Sequence, residues 1–187
     1  MQPLDLIRQF ENCARLDIRT EINFGSNNPD HRQFIRQDIV QNYKNDLSYF
    51  EQQKILDLQH WPVSQKLFFS VSHCAVLGGY AVCSEPVGFD IEDPVRLKPE
   101  IIKRVCTTEE IAGAHDYRIL WTMKEAALKA LHNKDLLITD IQIVQIQSQN
   151  ETGLSTYRAH SHKALDLKKN MGYFFQKNGL FFSIFFK

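Results

Sequence analysis

Three short segments carry the residue types that chemistry needs. The first is Gly88-Phe89-Asp90-Ile91-Glu92. If these residues form a strand, alternate side chains share a face. Asp90 and Glu92 then stand together, about 6.5–7 Å apart at the backbone, opposite Val87, Phe89 and Ile91. Two carboxylates so spaced can converge on one hard cation, and Gly88 would leave room for a ligand beside them. The second segment is Trp121-Thr122-Met123-Lys124-Glu125-Ala126-Ala127-Leu128-Lys129. On a helix, Trp121, Glu125 and Lys129 follow one another at one-turn intervals on one face. A third carboxylate beside an ammonium suits a divalent cation with a diphosphate. The third segment is Ser70-Val71-Ser72-His73, where hydroxyls and an imidazole end an apolar run and could meet phosphate. Each segment also has an ordinary explanation: an amphipathic strand, a surface i,i+4 ion pair worth roughly 0.2–0.5 kcal/mol, a structural histidine. No GxSxG elbow accompanies the serines, so a serine-nucleophile triad is not indicated.

The elements that must position these residues follow from local pattern. Asp30 is placed to cap a helix over 31–57, with Phe34, Ile35, Ile39, Tyr43, Leu47 and Phe50 as its apolar stripe. Strands are expected over 66–73, 76–82 and 87–92. Pro99 suits the first turn of a short helix over 99–105. Thr107-Thr108-Glu109-Glu110 reads as a capping box opening another. Residues 116–132, rich in Ala, Leu, Lys and Glu, form the clearest helix. Strands return over 136–148 and 155–162, and Asn178-Gly179 between two aromatic runs marks a hairpin. The pattern of helix then strands, repeated, predicts an α+β protein of two similar halves, 1–86 and 87–187, each with helices packed on a small antiparallel sheet.

Composition bounds the function. The chain has 187 residues, enough for a sizeable core. Twenty-two basic residues balance 22 acidic ones, which does not favour nucleic acid or membrane as partner. Cys13, Cys74, Cys83 and Cys106 are scattered, without zinc-ligand or disulfide spacing, so free thiols in a cytoplasmic protein are expected. The N-terminal stretch MQPLDLIRQFENCARLDIR is too charged for a signal peptide, and no apolar run is long enough to span a bilayer.

Taken together and in this order, SVSH, GFDIE and WTMKEAALK resemble the 4′-phosphopantetheinyl transferase superfamily, in which an (N/S)xSH segment precedes GxDxE and a W(S/T)xKEAxxK helix follows. The resemblance is good over about 66–132 and weak over the first 60 residues. Chain length and two-halved pattern look like the longer, pseudo-dimeric, surfactin-synthetase-activating class, with the site in the cleft between pseudo-twofold halves and a monomeric state.

The resemblance implies an enzyme of the holo-acyl-carrier-protein synthase type. It would move 4′-phosphopantetheine from coenzyme A to a serine of an apo acyl or peptidyl carrier protein, in fatty-acid, polyketide or nonribosomal peptide synthesis. It implies Mg²⁺, with Mn²⁺ as a substitute, on Asp90, Glu92 and Glu125, and Glu125 as base. Lys129 would meet the diphosphate and Lys124 the leaving phosphate. Ser72 and His73 would contact coenzyme A, with Arg32 and then Arg36 as N-terminal candidates for its 3′-phosphate. Ser70 replaces a common asparagine, and HWPVSQK stands where a Gly-Lys-Pro element is usual. Lys98, Lys103 and Arg104 are candidates for an acidic carrier. The residues leave two other readings open: a non-catalytic binder of coenzyme A or carrier protein, and an unrelated magnesium-dependent phosphohydrolase.

Overall fold

The computed structural model describes residues 7, 15–57, 64, 66–149, 153–163 and 171–187. It is an α+β arrangement of two antiparallel sheets and five α-helices among the described residues. The strands are β1 (Leu16–Glu21), β2 (Phe68–His73), β3 (Gly78–Cys83), β4 (Val87–Glu92), β5 (Gln142–Gln149), β6 (Leu154–His160), β7 (Met171–Lys177) and β8 (Leu180–Phe186). The helices are α1 (His31–Tyr43), α2 (Tyr49–Asp57), α3 (Pro99–Val105), α4 (Thr108–Gly113) and α5 (Ile119–Leu131). The sheets differ in size: β1-β3-β2 in one, β4-β8-β7-β6-β5 in the other.

Side-chain alternation turns the sheets into layers. On β3, Tyr80 and Val82 face Ile35, Ile39 and Tyr43 of α1 and Ile55 of α2, while Ala81 and Cys83 face the other way. There they meet Val87, Phe89 and Ile91 of β4 and Tyr173, Phe175, Phe182, Ile184 and Phe186 of β7 and β8. The opposite face of the second sheet, with Tyr157, Phe174, Phe181 and Phe185, packs on Met123, Ala126, Ala127 and Ala130 of α5. The order through the molecule is helices, sheet, sheet, helices.

One long helix over 31–57 is corrected to two. Ser48 and Glu51 form a second helix start: the Ser48 N–H donates to Glu51 Oε2 at 2.8 Å and the Glu51 N–H to Ser48 Oγ at 3.3 Å. Gln52 closes the corner by donating to the carbonyls of Lys44 and Leu47. Leu47 is buried, whereas Phe34 and Phe50 of the expected stripe are exposed. Asp30 stands at the N-cap of α1 without a capping side-chain bond; the preceding turn is held by Asn28, whose Oδ1 accepts the Asp30 N–H. The Thr107–Glu110 capping box is formed in both directions. Asn178 and Gly179 take positive φ values of 52° and 79°, the conformation a two-residue hairpin turn requires. β5 begins at Gln142 because Ile138–Asp140 forms a 3₁₀ turn, closed by the Leu137 N–H on Asp140 Oδ2. Cys74 is a buried free thiol, Cys106 is a half-buried one, and Cys83 is buried; Cys13 lies outside the described residues.

Candidate functional site

The three segments meet where the sheets touch edge to edge. β2 is an edge of the first sheet and β4 an edge of the second. Helix α5 lies directly on β4: a Cβ added to Gly88 would fall 1.8 Å from the carbonyl oxygen of Ala126. Gly88 therefore makes room for a helix backbone, which corrects the expectation of ligand space beside it. This close approach brings Glu125 and Lys129 over Asp90.

Asp90 is the centre of the site. Its side chain is 7 % exposed. Oδ1 accepts from Ser72 Oγ at 2.8 Å and from Lys129 Nζ at 2.7 Å. Oδ2 is buried, with no hydrogen-bond partner among the described residues. Lys129 also donates to the Phe89 carbonyl at 3.1 Å. Glu125 is half-buried; burial raises its carboxyl pKa, Lys129 lowers it and the Asp90 charge raises it further. Glu92 is also raised, first by burial, against a backbone hydrogen bond from Asp93 that lowers it, with Asp90 again adding to the rise. That hydrogen bond, 2.9 Å from the Asp93 N–H, turns Glu92 Oε1 toward its own backbone.

Among the described residues no three His, Cys, Asp or Glu side chains are gathered into a metal-ligand cluster. The rotamers give the reason: Lys129 covers Asp90 Oδ1, and Glu92 bonds to the backbone. The donor set still suits a hard divalent cation. A bare buried carboxylate oxygen lies beside two carboxyls whose pKa values burial and like charge raise, and a cation among them would relieve both conditions.

His73 lies on the opposite face of β2 from Ser72, as strand alternation requires. Its ring tilts against that of His31, at the start of α1, with centroids 4.4 Å apart. Burial lowers the His73 pKa, and His31, Arg32 and Lys129 lower it further. His31, Arg32 and His73 thus form a basic group within electrostatic reach of Lys129. Arg36 is turned away, donating to the Leu56 carbonyl on α2. Of HWPVSQK only Ser64 and Lys66 are among the described residues.

Two expected contacts receive other tasks. Lys124 is 1 % exposed and does not reach the cleft. Its ammonium lies 2.9 Å from Glu110 Oε1 and donates to the Val105 carbonyl at 2.7 Å. Adjacent helix residues diverge by about 100°, so Lys124 cannot share the direction of Glu125; the expectation that it meets the leaving phosphate is corrected. Ser72 is 6 % exposed, and its hydroxyl is engaged by Asp90 and by the Ile91 N–H at 3.1 Å. Glu110, which sequence reasoning assigned only to a helix cap, also accepts from the Ile143 N–H. The long-range partners of Glu110 and Lys124 leave no trace in local spacing.

A family model described as the 4′-phosphopantetheinyl transferase superfamily matches residues 86–175, which include Asp90, Glu92, Lys124, Glu125 and Lys129. No curated protein matches the chain.

Proposed function

We propose that this chain, whose residues 86–175 match the model of the 4′-phosphopantetheinyl transferase superfamily, transfers 4′-phosphopantetheine from coenzyme A to a serine of an apo carrier protein, with Asp90, Glu92 and Glu125 holding Mg²⁺. The observation that carries the proposal is the bare Oδ2 of Asp90, whose Oδ1 is fixed by Ser72 and Lys129 beside a half-buried Glu125. When bound, the ion supplies charge neutralisation for a diphosphate.

The chain's own groups supply the rest. Phosphoryl transfer depends chiefly on positioning and electrostatic stabilisation. Lys129 can turn its ammonium from Asp90 to a phosphate oxygen without leaving the site. Glu125, carried over Asp90 by α5, is the carboxylate placed to act as base. The carrier serine loses its proton to Glu125, its oxygen bonds to the β-phosphorus, and the bond to 3′,5′-ADP breaks. His73, with Arg32 and His31 beside it, is suited to the 3′-phosphate of coenzyme A.

The carrier surface belongs next to Glu92. The 3₁₀ turn Pro94–Arg96 follows directly, with Val95 83 % exposed and Arg96 exposed beside it. Lys98, Lys103 and Arg104 are also exposed, giving an apolar tip among cations for an acidic partner. We propose the longer, pseudo-dimeric class, acting as a monomer with its site between the halves 1–86 and 87–187. No helix among the described residues is long and apolar enough to cross a membrane.

The test is intact-mass spectrometry of apo acyl and peptidyl carrier proteins with this protein, coenzyme A and Mg²⁺. A mass gain of one phosphopantetheine, abolished by EDTA, is expected. Binding of coenzyme A without a mass gain on any carrier would favour the non-catalytic alternative. Phosphate release from coenzyme A without carrier would favour a hydrolase.

A further inference from the structure

The free edge of β4 is completed by side chains. As an edge strand, β4 has β8 as its ladder partner, in the register Asp90↔Ser183. Its N–H groups at Phe89 and Ile91 point the other way, into the junction with β2. Buried amides left without acceptors there would be costly. Ser70 Oγ accepts from the Phe89 N–H at 2.8 Å, and Ser72 Oγ accepts from the Ile91 N–H at 3.1 Å. Two hydroxyls, two positions apart on the same face of β2, thus replace a backbone ladder between the sheets.

The two serines differ in one respect. A hydroxyl has one proton to give. Ser72 gives its proton to Asp90 Oδ1 at 2.8 Å. With Lys129 on the same oxygen at 2.7 Å, the carboxylate is held from one side and Oδ2 is left bare. Phe89 and Ile91 flank Asp90, so the amides that Ser70 and Ser72 accept fix the backbone on both sides of it.

We infer that Ser72 is a positioning residue for Asp90, and that Ser70 and Ser72 together clamp the metal strand to the first sheet. The positioning role rests on the metal site proposed above; the clamp does not. It follows that Ser72 acts through Asp90 and does not touch substrate. Groups that orient a metal ligand typically cost about 10- to 100-fold in metal affinity when lost.

Ser70→Ala and Ser72→Ala test this as a pair, because each removes a hydroxyl that accepts a β4 amide and only one touches Asp90. Amide hydrogen exchange by NMR should show protection lost at Phe89 in the first and at Ile91 in the second. Mn²⁺ affinity in the presence of coenzyme A, read by electron paramagnetic resonance, should fall about 10- to 100-fold for Ser72→Ala and far less for Ser70→Ala. Equal weakening in both would overturn the positioning role. Retained protection at both amides would overturn the clamp. Should Ser72→Ala fail to fold, Ser72→Cys keeps the volume with a much weaker donor and acceptor and reads the same contrast. Wild-type protein that binds no Mn²⁺ would overturn the metal site and the positioning role with it, whereas the amide pattern decides the clamp by itself.

Discussion

Helix α5 carries two lysines five positions apart, each paired with a buried carboxylate, and the pairs do opposite work. Lys124 and Glu110 are 1 % and 5 % exposed at their side chains. Every strong valence is used: Glu110 accepts from Lys124 and from the backbone N–H groups of Thr107 and Ile143, and Lys124 also reaches the Val105 carbonyl. Lys129 and Asp90 are 28 % and 7 % exposed, and one Asp90 oxygen has no partner. The first pair is closed and ties α5 to α3, α4 and β5. The second is open and has capacity for a ligand. Fully satisfied buried charges hold structure, while an incompletely satisfied one marks where something else binds.

The sharpest way to break this comparison is Glu125→Gln, on the open side. It should lower transfer by about 10²- to 10⁴-fold with little change in melting temperature, because the amide keeps the volume. Unfolding of the variant, or full activity, would place Glu125 outside the site. Glu110→Ala attacks the closed side. It strands the Lys124 charge in the interior and should cost about 3–5 kcal/mol of stability, measured by urea denaturation. The double change Glu110→Leu with Lys124→Met removes both charges but leaves the Thr107 and Ile143 N–H groups and the Val105 carbonyl without these partners, so it should recover only part of that loss. Loss of transfer in a stable double variant would show that the closed pair also serves the chemistry.

The smallest effect concerns an ionisable group at the C-terminal end of α5. His132 ends the helix in the left-handed region at φ 48°, with its Nε2 buried and unpartnered. Unlike the lysines it has no counter-charge among the described residues: burial lowers its pKa and Lys187 lowers it further. A lowered imidazole pKa means the folded state holds the proton less well than the unfolded chain. Its contribution to stability is complete above the unfolded value near 6.5 and is lost as pH falls from there toward the lowered folded pKa. The melting temperature should therefore decline from pH 7 to pH 5, and His132→Asn, which tolerates the same backbone, should flatten part of that decline.

What could be read from the sequence was local. Strand alternation separated Asp90 and Glu92 from Phe89 and Ile91, helix spacing aligned Glu125 with Lys129, and the Thr107–Glu110 box and the Asn178-Gly179 turn were visible as spelled. The Ser48–Glu51 start was spelled too, but the apolar stripe ran across it. Contacts between distant segments had no such signature. Gly88 could signal an open space or a close neighbour, and only packing identifies the neighbour as Ala126. Lys124 and Glu125 are equally polar and adjacent; which one is buried depends on where Glu110 arrives from a different helix. Ser72 resembled a ligand contact because hydroxyls suit phosphates, yet its nearest acceptor was a carboxylate 18 positions away.

The pairing of β4 with β8 has a consequence for biosynthesis. Val87 is registered with Phe186 and Glu92 with Phe181, so the strand bearing two of the acids waits for a partner translated roughly 90–100 residues later. At about 5–20 residues per second, the ribosome keeps the two apart for roughly 5–20 s. During that interval β2 can already offer Ser70 and Ser72 to the opposite edge of β4. The polar seam would then be the first template the acid-bearing strand meets, and the aromatic strand β8 would lock the arrangement once it emerges.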